Sequence, residues 1–112
     1  MSDCLFCKII SGEIPSSKVY EDDICLAFND IEPQAPTHFL VIPKQHIGSV
    51  AEVSADNSAV VAHIFEVIAK VAKEKNLESY RVVSNIGEQA GQSVPHLHFH
   101  VLAGRDMTWP PG

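Results

Sequence analysis

The feature that most constrains this chain is an alternation of histidine and apolar residues near its C-terminal end. Within residues 95–102 the order is His96, Leu97, His98, Phe99, His100 and Val101. A period of two is typical of a half-buried strand, whose successive side chains point to opposite faces. We therefore predict a strand over residues 95–102 with all three imidazoles on one face. Such a row suits a metal ion, a phosphate or nucleophilic histidine chemistry, and the alternative is a solvent-facing strand that is rich in histidine by chance.

The rest of the chain predicts a single α+β domain over residues 1–112. Strand patterns of apolar and β-branched residues cover positions 18–20, 24–28, 38–43 and 80–85. A short helix is expected over residues 4–10. A long helix is expected to begin at a cap formed by Ser54 or Asp56 and to end just before Asn76, a left-handed stop. Antiparallel strands with two segregated helices give the α+β class.

The long helix carries more apolar residues than one packing face requires. They are Val60, Val61, Ile64, Phe65, Val67, Ile68, Val71 and Ala72. A helix on a protein surface needs an apolar stripe about 100° wide. The greater width here predicts two packing partners, the sheet of the same chain and a second subunit, so a homodimer is expected. The alternative is a helix buried deeply in its own domain.

Charge and cysteine content narrow the classes of partner. The formal net charge is −6 and no run of lysine or arginine occurs, so we expect no nucleic-acid partner. The most apolar stretch, residues 59–72, contains His63, Glu66 and Lys70, so we expect no membrane span. The first residues lack the basic and apolar regions of a signal peptide, and the odd cysteine count of three favours a reducing compartment. We therefore predict a cytoplasmic location.

Four further motifs accompany the alternating histidines. They are Phe28-Asn29-Asp30-Ile31, the segment 33–44 around Thr37-His38-Phe39, Gly91-Gln92-Ser93-Val94 and Trp109-Pro110-Pro111-Gly112. Together these motifs resemble the histidine triad (HIT) superfamily of nucleotide hydrolases and transferases and, within it, the histidine triad nucleotide-binding proteins. The resemblance spans nearly the whole chain in the family's order. It implies a HIT-like antiparallel sheet with one long helix and a short N-terminal helix, in which dimerisation extends the sheet.

The resemblance assigns catalytic roles to four residues. His98, the middle histidine, is implied to be the nucleophile, since a neutral imidazole nitrogen is able to attack phosphorus. His100 faces the same way and is expected to donate to a phosphate oxygen. Ser93 is expected near the scissile bond, where it donates to a nonbridging oxygen or to the leaving atom. His38 resembles the family's supporting histidine, which positions or passes a proton; the less favoured alternative is a hydrogen-bonded histidine at a strand edge. No cofactor is expected to be needed for the chemistry.

A purine nucleotide is the implied substrate, and the resemblance supplies its binding residues. They are Phe6, Ile9, Phe28, Asp30, Ile31, Asn85, Gly91, Gln92, Ser93, His98, His100 and Trp109. The apolar members resemble the family's base pocket, although by sequence alone they fit core positions better. Asp30 either binds both ribose hydroxyls or caps a turn. Gly91 allows close approach of the backbone to a phosphate. Asn29 stands where related sequences often carry histidine, and the tail with Trp109 reaches toward the partner's active site in the family.

The pair Cys4-x-x-Cys7 at the first helix predicts either a metal site or a redox pair. With His46 and His96 it makes a Cys₂His₂ set, which tetrahedral Zn²⁺ prefers. Some bacterial HIT proteins and the related galactose-1-phosphate uridylyltransferases use such a set. The resemblance therefore implies a structural zinc that fixes His96 and, with it, the strand that carries His98. The nucleotide-binding branch often lacks these cysteines.

Three functions remain open at the level of sequence. The resemblance favours a purine nucleoside phosphoramidase, which hydrolyses a nucleoside monophosphate linked through P–N to an amine or a lysine and releases AMP. The first alternative is a dinucleoside polyphosphate hydrolase, as in the fragile histidine triad branch. The second is a nucleotide-binding or zinc-stabilised interaction module whose catalysis is incidental. The complete third histidine and the Trp-Pro-Pro-Gly tail favour the phosphoramidase.

Overall fold

The computed structural model describes residues 4–112 and arranges five strands in one antiparallel sheet. In chain order the elements are α1 (Leu5–Ile10), β1 (Lys18–Glu21), β2 (Cys25–Asn29), β3 (Thr37–Pro43), α2 (Ser58–Glu74), β4 (Tyr80–Val83) and β5 (Phe99–Ala103). The strand order across the sheet is β1-β2-β3-β5-β4. Single turns of 3-10 helix, Val50–Glu52 and Glu88–Ala90, lie in two of the connections. One antiparallel sheet with a short and a long helix confirms the predicted α+β architecture.

The central strand β3 contributes to the core on both faces of the sheet. Phe39 and Val41 pack in the cluster beneath α2, whereas Leu40 and Ile42 pack in the cluster beneath α1. This alternation is the direct consequence of the two-residue period of a strand. His38 lies two residues before Leu40 and therefore faces the α1 side. The polar site consequently lies on the face of the sheet that α2 does not cover.

Helix α2 begins at Ser58, later than the sequence predicts. Asn57 is the N-cap residue, and its side chain makes no capping hydrogen bond. Its Nδ2 instead donates to the carbonyl of Glu52 at 3.1 Å, and its Oδ1 accepts from the amide of Ser54 at 2.8 Å. The Ser54 hydroxyl accepts from the amide of Asp56 at 3.2 Å. The prediction of a cap at Ser54 or Asp56 is therefore wrong, because these residues build the turn before the helix.

The apolar residues of α2 are buried on only part of its circumference. The buried ones are Ile64, Val67, Ile68, Val71 and Ala72. Phe65 is 47% exposed and packs edge-on against Phe99 of β5, with ring centroids 5.1 Å apart. The helix ends at Glu74, and Asn76 just after it has the left-handed conformation (φ 59°), as predicted. Within the described residues, neither helix has the length and apolar character needed to cross a membrane.

The histidine-rich segment is a strand only from Phe99 onward, so the predicted strand over residues 95–102 is wrong in its first half. The ladder between β3 and β5 extends as far as Val41 opposite Phe99. In this register the next two pairs would be Ile42 opposite His98 and Pro43 opposite Leu97, and Pro43 has no backbone N–H with which to continue the ladder. The alternation of faces nevertheless holds, because Leu97 and Phe99 both lie in the core beneath α2.

Candidate active site

A cleft of about 310 Å³ opens on the sheet face opposite α2, beside α1. It brings together many of the residues that the sequence predicts to be catalytic or nucleotide-binding. Those that line it are Phe6, Ile9, Phe28, Asp30, Ile31, Ser93, His98 and His100. The alternation of faces explains this grouping, since the even-numbered residues of β3 and of the segment 96–100 share the α1 side.

A single hydrogen bond fixes the tautomer of His98. Its Nδ1 lies 2.7 Å from the backbone carbonyl oxygen of His96. Because a carbonyl only accepts, Nδ1 carries the proton and Nε2 of the neutral ring keeps a free lone pair. The ring is buried and packs edge-on against Phe6, with centroids 5.1 Å apart. His98 is therefore in the form in which an imidazole acts as a nucleophile.

A chain of hydrogen bonds fixes the tautomers of His38 and His100. The backbone N–H of Gln34 donates to Nδ1 of His38 at 3.0 Å, so the proton of this neutral ring is on Nε2. That Nε2 lies 2.9 Å from Nδ1 of His100 and donates to it. Neutral His100 therefore carries its own proton on Nε2 and offers it as a donor beside His98, whose ring centroid is 5.1 Å away.

The electrostatics of the cleft keep both supporting histidines neutral. Burial, followed by the neighbouring rings of His98 and His38, lowers the pKa of His100 to about 4, while the Asp30 carboxylate opposes the shift. Burial also lowers the pKa of His38, against the influence of Asp30. The Asp30 carboxylate lies 3.4 Å from Nε2 of His38. Near pH 7 the two rings therefore hold the single protons that the hydrogen-bond chain requires.

The side chain of Gln92 stabilises the loop before β5 through three hydrogen bonds. Its Nε2 donates to the carbonyls of Gly48 and Val94, at 2.8 and 3.1 Å, and its Oε1 accepts from the amide of Gly87 at 2.9 Å. Gln92, predicted among the nucleotide-binding residues, thus uses its side chain to brace the loop. Gly91 has φ +100°, a conformation that favours glycine.

Three other predicted nucleotide contacts lie near or outside the cleft. Asn85 follows the end of β4, and its side-chain nitrogen is 3.5 Å from where a Cβ on Gly91 would lie, so these two residues adjoin each other. Trp109 is 83% exposed and, like Asn85 and Gly91, is not among the residues that line the cleft of the described chain.

The apolar end of the cleft combines core and surface residues. Phe6, Ile9 and Phe28 are buried, so the sequence-based reading of these residues as core is also correct. Ile31 is 95% exposed at the rim, so the sequence-based reading of this residue as core is wrong. Asp30 caps a turn, because its Oδ1 accepts from the amide of Glu32 at 2.8 Å. Its second oxygen remains directed toward His38 and the cleft.

Sequence reasoning missed several cleft residues. They are Leu5, Pro15, Ser16, Ser17, Asn29, Glu32, Leu40 and Val94. The Nδ2 of Asn29 donates to the Ser17 hydroxyl at 3.0 Å and so joins two stretches of the wall that are distant in sequence. Leu40 could have been predicted from its position two residues beyond His38 on the same strand face, and Asn29 and Val94 from their places within the motifs noted above.

A second group of polar residues lies beside the cleft and includes all four predicted metal ligands. Sγ of Cys4 lies 3.3 Å from Nδ1 of His96, and Sγ of Cys7 lies 3.4 and 3.7 Å from Nδ1 of His46 and His96. A tetrahedral zinc ion with ordinary bond lengths has S···N edges of about 3.6 Å. Nε2 of His96 donates to the carbonyl of Pro43 at 2.9 Å, which leaves Nδ1 bare toward the sulfurs. These residues therefore fit a four-coordinate metal.

The metal-ligand cluster is directly linked to the cleft. His96 supplies both an imidazole to the cluster and the carbonyl oxygen that fixes the tautomer of His98. Burial lowers the pKa of His96, which favours the neutral form that binds metals. Phe6 packs edge-on against both rings, at centroid distances of 5.8 and 5.1 Å. A metal bound here would hold the backbone that positions His98.

The chain matches a known protein family and is similar in sequence to proteins of other organisms. The family model described as "Scavenger mRNA decapping enzyme C-term binding" matches residues 3–109. An uncharacterized HIT-like protein of Synechococcus elongatus is 50% identical over 111 residues, which span 98% of this chain and 97% of that protein. Protein pkiA of Dictyostelium discoideum is 47% identical over 114 residues, with 98% and 90% of the two chains covered.

The fold is also similar to solved structures at high sequence identity. A HIT family hydrolase from Legionella pneumophila Philadelphia 1 superposes with a TM-score of 0.95 at 51% identity, covering 98% of this chain and 100% of that one. A histidine triad protein from Clostridium difficile gives a TM-score of 0.93 at 51% identity and 96% coverage of both chains.

Proposed function

Because the chain belongs to the histidine triad (HIT) superfamily, we propose that it is a hydrolase of purine nucleoside phosphoramidates. The observation that carries the proposal is the bond from Nδ1 of His98 to the His96 carbonyl, which leaves Nε2 free to attack. Nε2 forms a bond to the α-phosphorus while the P–N bond of the substrate breaks. The leaving amine takes up a proton from solvent, and the hydrolytic water returns one to solvent in the second step. Water then cleaves the His98–phosphorus bond and releases the nucleoside monophosphate, AMP where the base is adenine.

The other cleft residues support this reaction without a bound cofactor. The N–H of His100 is available to a phosphate oxygen, and the hydroxyl of Ser93 borders the same space. We assign the nucleoside to the apolar end, with the base between Phe6 and Ile31. Asp30 Oδ2 is the acceptor assigned to the ribose hydroxyls.

The charge of the cleft favours an amine over a polyphosphate leaving group. Asp30 and Glu32 line the cleft, and no lysine or arginine within residues 4–112 does so. Enzymes that transfer phosphoryl groups from polyphosphates normally hold the extra negative charge with lysine, arginine or Mg²⁺. A neutral or cationic amine needs no such partner.

Two substrates separate the candidate functions. Turnover of adenosine 5′-phosphoramidate should exceed that of diadenosine polyphosphates by about 100-fold in kcat/KM, a difference of about 2.7 kcal/mol in transition-state stabilisation. The reverse preference would instead establish the dinucleoside polyphosphate hydrolase. Tight AMP binding with negligible turnover of both substrates would leave a nucleotide-binding interaction module.

We propose further that Cys4, Cys7, His46 and His96 hold a structural zinc ion. The support is the spacing of their ligand atoms, all within 4.8 Å of one another. Four protein ligands leave no open position for a catalytic water, so the metal would stabilise the fold rather than react. Elemental analysis of protein purified without chelator or affinity metal should find about one zinc per chain.

A matched cysteine control is available for the zinc proposal. The Cys7→Ala variant should lose the zinc. Cys25→Ala should keep it, because Cys25 is buried in the separate core beneath α2. Stable wild-type protein without metal would contradict the proposal.

We also propose a homodimer in the cytoplasm. β4 is an edge strand, and the exposed ring of Phe65 packs on β5, the strand next to β4. A hollow of about 800 Å³, lined by residues 76–81 and 103–107, borders the same edge. Pairing of two β4 edges would extend the sheet and cover both this hollow and the exposed ring of Phe65. Free thiols at Cys4, Cys7 and Cys25 agree with a reducing compartment.

A further inference from the structure

The nucleophilic His98 lies just beyond the end of the sheet on both of its sides. The ladder between β3 and β5 ends at Val41 opposite Phe99, and the ladder between β4 and β5 ends at Val83 opposite His100. The regular pairing of strands therefore stops before it reaches the residue that the proposed reaction depends on most. Its main chain needs other anchors to keep a fixed orientation.

One anchor is a side-chain hydroxyl. Oγ of Ser84 donates to the backbone carbonyl of His98 at 2.8 Å. Ser84 is the first residue after β4 and is half-buried. The residue before the nucleophile is held separately, because the amide of Leu97 donates to the carbonyl of Ile47 at 2.6 Å. The bond from Ser84 thus holds the peptide plane after His98, and the bond to Ile47 holds the plane between His96 and Leu97.

We infer that Ser84 is a positioning residue for His98 in the proposed reaction. The ring of His98 is oriented by the bond from its Nδ1 to the His96 carbonyl, but that bond fixes the ring only relative to its own main chain. The bond from Ser84 fixes that main chain relative to β4. Without the hydroxyl, the carbonyl of His98 loses its bond to Ser84, and a small rotation of this peptide would turn Nε2 away from the phosphorus. Small displacements of a reacting atom are costly in rate.

Ser84 also links His98 to the loop before β5. The next residue, Asn85, adjoins Gly91 in the loop that carries Ser93. A single residue therefore couples the start of the substrate-binding loop to the nucleophile. This inference rests on the proposed function, but the hydrogen bond itself can be tested separately.

The matched pair Ser84→Thr and Ser84→Val tests the inference, since the two side chains have the same shape and differ in the hydroxyl. With adenosine 5′-phosphoramidate in single-turnover experiments, Ser84→Val should form the nucleotidyl adduct roughly tenfold more slowly, with KM changed less than about twofold. Ser84→Thr should restore the rate. The Nδ1–H resonance of His98 in ¹⁵N-histidine-labelled protein should broaden or shift in Ser84→Val alone.

A second serine controls for a general loss of stability. Ser49 is buried, and its hydroxyl accepts from the amide of Ala51 at 3.1 Å. Ser49→Ala should lower the melting temperature without changing the rate of adduct formation. If Ser84→Val does not fold, Ser84→Ala replaces it in the comparison with Ser84→Thr.

Equal rates and equal His98 resonances in the valine and threonine variants would overturn the role of Ser84. A wild-type protein that forms no adduct would refute the proposed function instead. In that case the His98 resonance alone still decides whether Ser84 orients the ring.

Discussion

In His98 and His100 a hydrogen bond at Nδ1 fixes the tautomer of the ring and thereby decides whether Nε2 carries a lone pair or a proton. The His96 carbonyl makes His98 a base and nucleophile at Nε2, whereas the Gln34 amide, acting through His38, makes His100 a donor at Nε2. The neighbouring rings of His98 and His100 therefore differ at Nε2, where His98 has a lone pair and His100 has a proton. In the proposed reaction, the proton on His100 would serve a phosphate oxygen and the lone pair on His98 would attack phosphorus.

The buried neutral state of His100 predicts how stability varies with pH. Its pKa falls from the ordinary value of 6.5 to about 4 in the folded chain. Between these values the unfolded chain binds a proton that the folded chain excludes, so stability is full above about pH 6.5 and declines as the pH falls toward 4. His100→Asn should have a shallower decline over this window in urea unfolding at pH 7, 6 and 5. An unchanged slope would show that His100 does not titrate in this way.

At the scale of single residues, the sequence predicts which residues form the site better than it predicts their tautomers. The alternation at residues 95–102 places His98 and His100 on one face, and the structure agrees. Their tautomers depend on the backbone groups of His96 and Gln34, whose positions follow only from the fold. The use of the Gln92 side chain inside its own loop has no sequence signal.

Among the elements, the β1–β2 hairpin is tied to α2 by the carboxylate of Asp22. Its Oδ1 accepts from the amides of Ile24 and Cys25 at 2.8 and 2.9 Å. Its Oδ2 lies 2.6 Å from Nε2 of His63 on α2 and accepts from the Tyr20 hydroxyl at 2.9 Å. Burial raises the pKa of this carboxyl, but the hydrogen bonds outweigh burial and hold it well below its usual range.

Asp22→Asn should therefore destabilise the protein by about 1.5–3 kcal/mol near pH 7. The contribution of Asp22 is present above about pH 4 and is lost as the pH falls toward the lower pKa of the folded state, so the deficit of the variant should shrink in acid. Urea unfolding at several pH values measures it. The neighbouring Asp23 is exposed, and Asp23→Asn should change stability by less than about 0.5 kcal/mol. Equal effects of the two variants would refute the proposed tie.

The ends of elements are where local reasoning fails. The sequence predicts the order of strands and helices, because apolar periodicity is a local property. It misplaces the start of α2, since Asn57 bonds to Glu52 and Ser54 rather than to the helix. It also extends the last strand too far, because the effect of Pro43 on that strand depends on a register between distant segments.

At the scale of the whole molecule, the proposed dimer would cover the exposed ring of Phe65 on α2. Phe65→Lys should convert a dimer into a monomer, because the lysine charge would be buried in the interface without a partner. Ile24→Lys is the control, since Ile24 is 41% exposed but lies beside β2, away from the β4 edge. Sedimentation velocity at micromolar concentration distinguishes the two states. A monomeric wild type, or dissociation by Ile24→Lys alone, would contradict the proposed interface.

The overall architecture could be predicted because motifs spread over the whole chain occur in the order of a known family. The wide apolar stripe of α2 also predicted that part of it would lie outside the core of its own domain, and Phe65 is the residue of that stripe that is exposed. The wall that Ser17 and Asn29 share could not be predicted, since it joins segments that meet only in the folded chain.

The central claim is that His98 forms a covalent bond to phosphorus, and intact-mass spectrometry tests it most directly. Wild-type protein mixed with adenosine 5′-phosphoramidate and quenched rapidly in denaturant should gain the mass of one adenylyl group. His98→Asn should gain no mass while still binding AMP. Turnover by the wild type without an adduct at any time, or an adduct that persists in His98→Asn, would contradict the account.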